Sequence, residues 1–152
     1  MVYDKLIIDA DAQGVIVKEK PLKAHDGRIK GNKIAIRTNI PTRREKACVL
    51  AEELGHYFYT SGDIIDQSST QNRKQELLAR VKAYNHMVGL TGIIRSYEHG
   101  CRSLYEMAEY LDVTETFLAD ALEAYRLKYG EGAAIDNYYV MFEPYLSVAK
   151  MF

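Results

Sequence analysis

The sequence is poor in the features that most quickly place a protein. It has two cysteines, Cys48 and Cys101, in 152 residues. They lack a metal-type spacing, so two reduced thiols are expected. No apolar run approaches the roughly 18 residues that would suggest a bilayer span, and the N-terminus lacks a signal-peptide pattern. A cytoplasmic location with no membrane contact is therefore expected. Neither sign of charge prevails, with 20 Lys and Arg against 21 Asp and Glu. There is no internal repeat, low-complexity stretch or interdomain linker. A single domain over 1–152 follows, long enough to bury roughly 68–70% of its unfolded surface.

The chain is organised around the stretch from Thr42 to Thr60. Thr42-Arg43-Arg44-Glu45 matches a capping box and marks a helix start. Ala47, Leu50, Ala51, Leu54 and Phe58 recur at helical spacing and predict a buried stripe. Glu52 and His56 are four apart, so a carboxylate and an imidazole share one face and can converge on a cation. Glu53, rotated by about 100°, flanks them. Glu52-Glu53-Leu54-Gly55-His56 differs from the zinc motif His-Glu-x-x-His by a Glu at the first position. Taken alone, it reads more simply as a solvated helix face.

A second helix is predicted after the capping box Asn72-Arg73-Lys74-Gln75, with Leu77, Val81, Tyr84 and Val88 as its apolar stripe. Glu76 shares a face with Ala79, Arg80 and Ala83, and the two alanines permit close approach of another helix. Gly55 could do the same from the first helix, although glycine costs a helix roughly 1 kcal/mol relative to alanine. Close packing would bring Glu52, His56 and Glu76 to one point. The polar connector from Gly62 through Ser69 would rim that point, its Asp63 and Asp66 reading as turn or cap residues.

These residues carry a family resemblance. Leu50-Ala51-Glu52-Glu53-Leu54-Gly55-His56-Tyr57, Thr60-Ser61-Gly62-Asp63 and Asn72-Arg73-Lys74-Gln75-Glu76-Leu77-Leu78-Ala79 resemble the ImmA/IrrE family of zinc metallopeptidases, closest to its short phage- and mobile-element-encoded members. The resemblance runs roughly from the N-terminus through Gly130. It implies His56 and Glu76 as metal ligands and Glu53 as general base, with Glu52 at the position where the family usually has His. Two anionic oxygen ligands with one imidazole tolerate zinc and suit a harder ion such as manganese. The resemblance further implies cleavage or inactivation of a phage-type transcriptional repressor inside the cell. The alternative is a peptidase-like module that binds such a repressor without cutting it.

The remaining segments complete an α+β reading: a small antiparallel sheet on a mainly helical, zincin-like domain with a helix-turn-helix-like C-terminal pair. Residues 1–40 supply the sheet, 42–100 the metal-site helices, 103–130 the helical hairpin and 131–152 an aromatic tail. Tyr3 to Ala12 can form a short helix with Leu6 and Ile7 inward. Residues 14–18 read as a strand, and 27–37 as a hairpin turning at Gly31-Asn32. Ile34 to Arg37 is the candidate edge for an extended substrate peptide. A helix over 89–99 would turn Ile93, Ile94 and Tyr97 inward. His25, His86 and His99 read as surface or core-edge residues, with His86 the one to test as an extra polar group at the site.

Ser103 and Thr114 are N-cap candidates for the hairpin, and Gly130 closes its second helix. A DNA reader would need cations on that helix, which instead offers Glu115, Asp120 and Glu123 before Arg126 and Lys128. No direct nucleic-acid partner is expected. The tail aromatics Tyr138, Tyr139, Phe142 and Tyr145 either cover the domain's own core or support self-association.

Overall fold

A computed structural model describes residues 1–59 and 70–152, with only the backbone at 70–72. The connector expected over 62–69 lies outside the described residues. Two compact units divide the chain, Met1–Ala83 and Tyr84–Phe152. None of the described helices is long and apolar enough to cross a membrane.

The first unit opens with α1 (Val2–Ala12), which buries Tyr3, Leu6 and Ala10 at helical spacing. Three strands follow: β1 (Ile16–Lys20), β2 (Gly27–Lys30) and β3 (Lys33–Arg37). The expected hairpin is β2–β3, paired antiparallel with Ile29 opposite Ile34. β1 joins β3 in parallel, however, with Val17 opposite Ile34 and Glu19 opposite Ile36. The sheet is therefore mixed, in the order β1-β3-β2. An alternating pattern specifies which side chains face inward but not the direction in which strands pair. The order also corrects the peptide-binding edge placed at Ile34 to Arg37, because β3 is the central strand, hydrogen-bonded on both sides.

Ile34 and Ile36 point into the core and are fully buried. Over them lies α2 (Arg43–Tyr59), started by Thr42, whose Oγ1 accepts the Glu45 N–H at 3.1 Å. Glu19, on the inner face of β1, accepts from Tyr3 Oη and Lys46 Nζ, each at 2.9 Å, and so ties the strand to both helices. The buried line of α2 runs through Ala47, Ala51 and Gly55, with Leu50 beside it. Phe58 was expected to continue the stripe but falls off this line and is 39% exposed.

α3 (Thr70–Met87) begins before Asn72, which is thus inside the helix and not its cap. Of the expected stripe, Tyr84 and Val88 are buried but Leu77 is not. Ala79 and Ala83 are buried, and Leu77 is 58% exposed. The reason is contact distance: a Cβ on Gly55 would lie 2.4 Å from the Ala79 carbonyl oxygen. An approach that close admits alanine and leaves no room for leucine.

In the second unit, α4 (Gly89–His99) buries Ile93 and Ile94 but leaves Tyr97 half exposed, against expectation. α5 (Leu104–Leu111) and α6 (Glu115–Tyr129) form the expected hairpin. Ser103 Oγ accepts the Glu106 N–H at 3.1 Å, and Thr114 Oγ1 the Phe117 N–H at 3.0 Å. The aromatic tail is a second sheet, the antiparallel meander β4 (Gly132–Ile135), β5 (Tyr138–Met141) and β6 (Ser147–Lys150). Val140 and Phe142 are buried, and Phe142 lies 6.1 Å from the rings of Tyr125 and Tyr129 of α6. Phe142 thus covers its own unit's core, whereas Tyr145 is 72% exposed.

Candidate active site

The capping residue Thr42 sets the phase of α2, and the close approach at Gly55 sets its distance from α3. Together they bring His56 and Glu76 into contact, with His56 Nε2 3.3 Å from Glu76 Oε2. Both side chains are largely buried, at 14% and 19% exposure. One turn further along α3, Arg80 Nε donates to Glu76 Oε1 at 3.1 Å. Glu76 is thus held between an imidazole and a guanidinium. Burial pushes the His56 imidazole below its usual pKa against the opposing pull of Glu76, and the Arg80 charge adds to the lowering. The neutral ring, the form that binds metals, is favoured.

Glu53 has a different neighbour. It lies over β2, where a Cβ on Gly27 would meet Glu53 Cγ at 2.7 Å and Cδ at 3.0 Å. Glycine at the head of that strand leaves room for the carboxylate side chain. Burial, followed by the negative charges of Glu52 and Glu76, pushes the Glu53 pKa up to about 7. A carboxyl poised near neutrality can accept and return a proton at the pH of the cell.

The charge of Glu52 contributes to the rise at Glu53. Among the described residues no three His, Cys, Asp or Glu side chains converge as a metal-binding group. Of the predicted trio, His56 and Glu76 are in contact, and Glu52 lies near enough for its charge to act on Glu53. The pair itself suits a metal. Its 3.3 Å separation exceeds the ~2.7–2.9 Å of a charge-assisted N–H···O bond and matches the edge of a tetrahedron with ~2.0–2.1 Å bonds to zinc. The negative charges of Glu52 and Glu76, which add to the rise at Glu53, are a further sign of a place suited to positive charge.

A family model described as the IrrE N-terminal-like domain, a peptidase family, matches residues 10–123. The chain belongs to the ImmA/IrrE family. No curated protein and no solved structure matches closely enough to add to this. The ImmA/IrrE match spans the whole of α2 and α3, and the family is one of metallopeptidases.

Two residues of this ImmA/IrrE site carry a weaker sequence signal. Arg80 is legible as an i,i+4 partner of Glu76 once Glu76 is singled out. Gly27 is not, because a glycine opening a strand reads only as a turn boundary. Of the other histidines, His25 and His86 are exposed, and His99 stacks on Tyr110 at 4.5 Å.

Proposed function

We propose that this ImmA/IrrE chain is a metal-dependent endopeptidase whose substrate is a phage-type transcriptional repressor. The observation that carries the reading is the buried His56–Glu76 pair, with a near-neutral carboxyl, Glu53, one turn from the imidazole on the same helix. In this reading His56 and Glu76 hold a divalent ion, zinc or manganese, and Glu52 joins them as a third ligand. When bound, the ion acidifies water and polarises the scissile carbonyl.

The chain's own residues do the rest. Glu53 takes the proton of the attacking water and returns it to the leaving amine, a task for which a pKa near 7 suits it. Arg80 fixes the second oxygen of Glu76, so the first keeps its direction toward His56.

Metal analysis of protein purified without chelator or nickel resin should find a divalent ion in stoichiometric amount. Incubation with a helix-turn-helix repressor from a mobile element, followed by mass analysis, should give two fragments. Glu53→Gln should keep the metal and lose cleavage, and His56→Ala should lose both. Full cleavage by both variants would overturn the assignment. A stable complex without fragments would favour a module that binds the repressor without cutting it, a reading supported by Glu at position 52.

A further inference from the structure

α1 and α2 cover one face of the first sheet, and the opposite face is open. Ile16, Lys18 and Lys20 of β1, Arg28 and Lys30 of β2, and Lys33 of β3 are all exposed there. The registers arrange them in rows across the sheet. Lys18, Ala35 and Arg28 form one row, and Ile16, Lys33 and Lys30 another. Lys20 lies opposite Arg37, whose charge is answered by Asp26 at 2.5 Å. The other five cations, Lys18, Lys20, Arg28, Lys30 and Lys33, have no acidic partner among the described residues. They line a shallow groove of about 430 Å³.

We propose that this face is a docking surface for the phosphodiester backbone of single-stranded nucleic acid. The charge is local: the whole chain has a formal net charge of −1, yet one sheet face gathers five unopposed cations. Lys30 and Lys33 sit directly opposite each other, a like-charge pairing that costs the sheet stability when no anion lies between them.

The shape is that of a trough. β1 and β2 are the outer strands, roughly 9–10 Å apart across β3. Lys18 and Lys20 stand along one side, Arg28 and Lys30 along the other, and the small Ala35 forms the floor between them. A single strand laid along the trough offers one anion per nucleotide to cations on both sides, whatever its sequence. The face has no aromatic side chain and no deep pocket to select an amino-acid side chain. Its side chains are donors or apolar groups, with no acceptor for a 2′-hydroxyl, so DNA and RNA should bind alike. The acidic face of α6 is not involved, and the surface does not depend on the peptidase reading.

The test is fluorescence anisotropy of labelled thymidine and uridine 20-mers titrated with the full chain over a salt series. Both should bind, and log K should fall with log salt at a slope of −2 or steeper, toward about −3.5 if all five cations release a counterion. Lys18→Glu/Lys30→Glu should weaken binding at least tenfold. Lys5→Glu/Lys128→Glu, with the same change in net charge elsewhere, should weaken it by less than twofold. Lys18→Gln/Lys30→Gln serves if charge reversal impairs folding, and it should lower the slope by about 1.4. The proposal is overturned if neither oligomer binds at low salt, if the two double charge reversals weaken binding equally, or if polyglutamate or anionic vesicles bind more tightly than the oligomers.

Discussion

Glu53 shows how one side chain can oppose folding while serving chemistry. Its pKa of about 7 lies above the usual 4.5, so the folded chain holds this proton more tightly than the unfolded chain does. Folding is therefore penalised as pH rises from about 4.5 through 7, by about 3 kcal/mol once the group is ionised. Glu53→Gln removes the charge and keeps the shape. In metal-stripped protein it should raise stability by up to about 3 kcal/mol at pH 8 and by close to nothing at pH 4. Urea unfolding at the two pH values measures the difference, and a gain equal at both would rule out a buried, ionising acid.

At the scale of elements, two contacts carry more than their size suggests. Gly55→Ala would place a methyl 2.4 Å from the Ala79 carbonyl oxygen. The α2–α3 spacing would have to open, and overpacking of this kind costs about 1–3 kcal/mol, more than alanine returns in helix propensity. A lower thermal midpoint together with weaker metal binding is expected, and an unchanged midpoint would mean the helices have slack. In the second unit, α4 starts at Gly89 with no side-chain cap from its own N-cap residue, Val88. The Gly89 N–H donates instead to Tyr125 Oη of α6 at 3.1 Å, out of reach of solvent. Tyr125→Phe leaves that donor unsatisfied and should cost about 1–3 kcal/mol in denaturant unfolding. A value within a few tenths of zero would show that the bond contributes little.

What was legible at this scale follows from the range of the forces. Thr42, Ser103 and Thr114 were readable as caps because each bonds an N–H three residues away. Phe58, Leu77 and Tyr97 were assigned inward from periodicity and lie outward because burial is decided by the partner surface. The alanine face of α3 is the clearest case, since only the close approach at Gly55 reveals that small residues form the contact. The His56–Glu76 pairing was legible because both ends of that approach were visible as small residues beside the acidic and imidazole groups. The parallel partner of β1 and the seat of Glu53 on Gly27 were not, because both depend on strands placed only by the finished sheet.

For the molecule as a whole, no cross-link is shared between folded and unfolded states. Neither Cys48 nor Cys101 forms a disulfide. Cohesion rests on packing and, in the proposed reading, on an ion held only by the folded form. Such a ligand stabilises by about 2.7 kcal/mol at a hundred times its dissociation constant. Adding zinc to metal-stripped protein should raise the thermal midpoint, and His56→Ala should abolish the rise. Equal shifts in both proteins would place the ion elsewhere.

The apposition of Gly27 and Glu53 has a final consequence. What gives the acid its seat on that side is a vacancy, one missing methyl on a neighbouring strand, and a vacancy can only be filled in. Drift at position 27 therefore cannot be repaired by strengthening any bond, and it narrows the tolerable occupants of position 53 to shorter side chains. Two positions 26 apart in the chain must in this way change together, though neither grips the other.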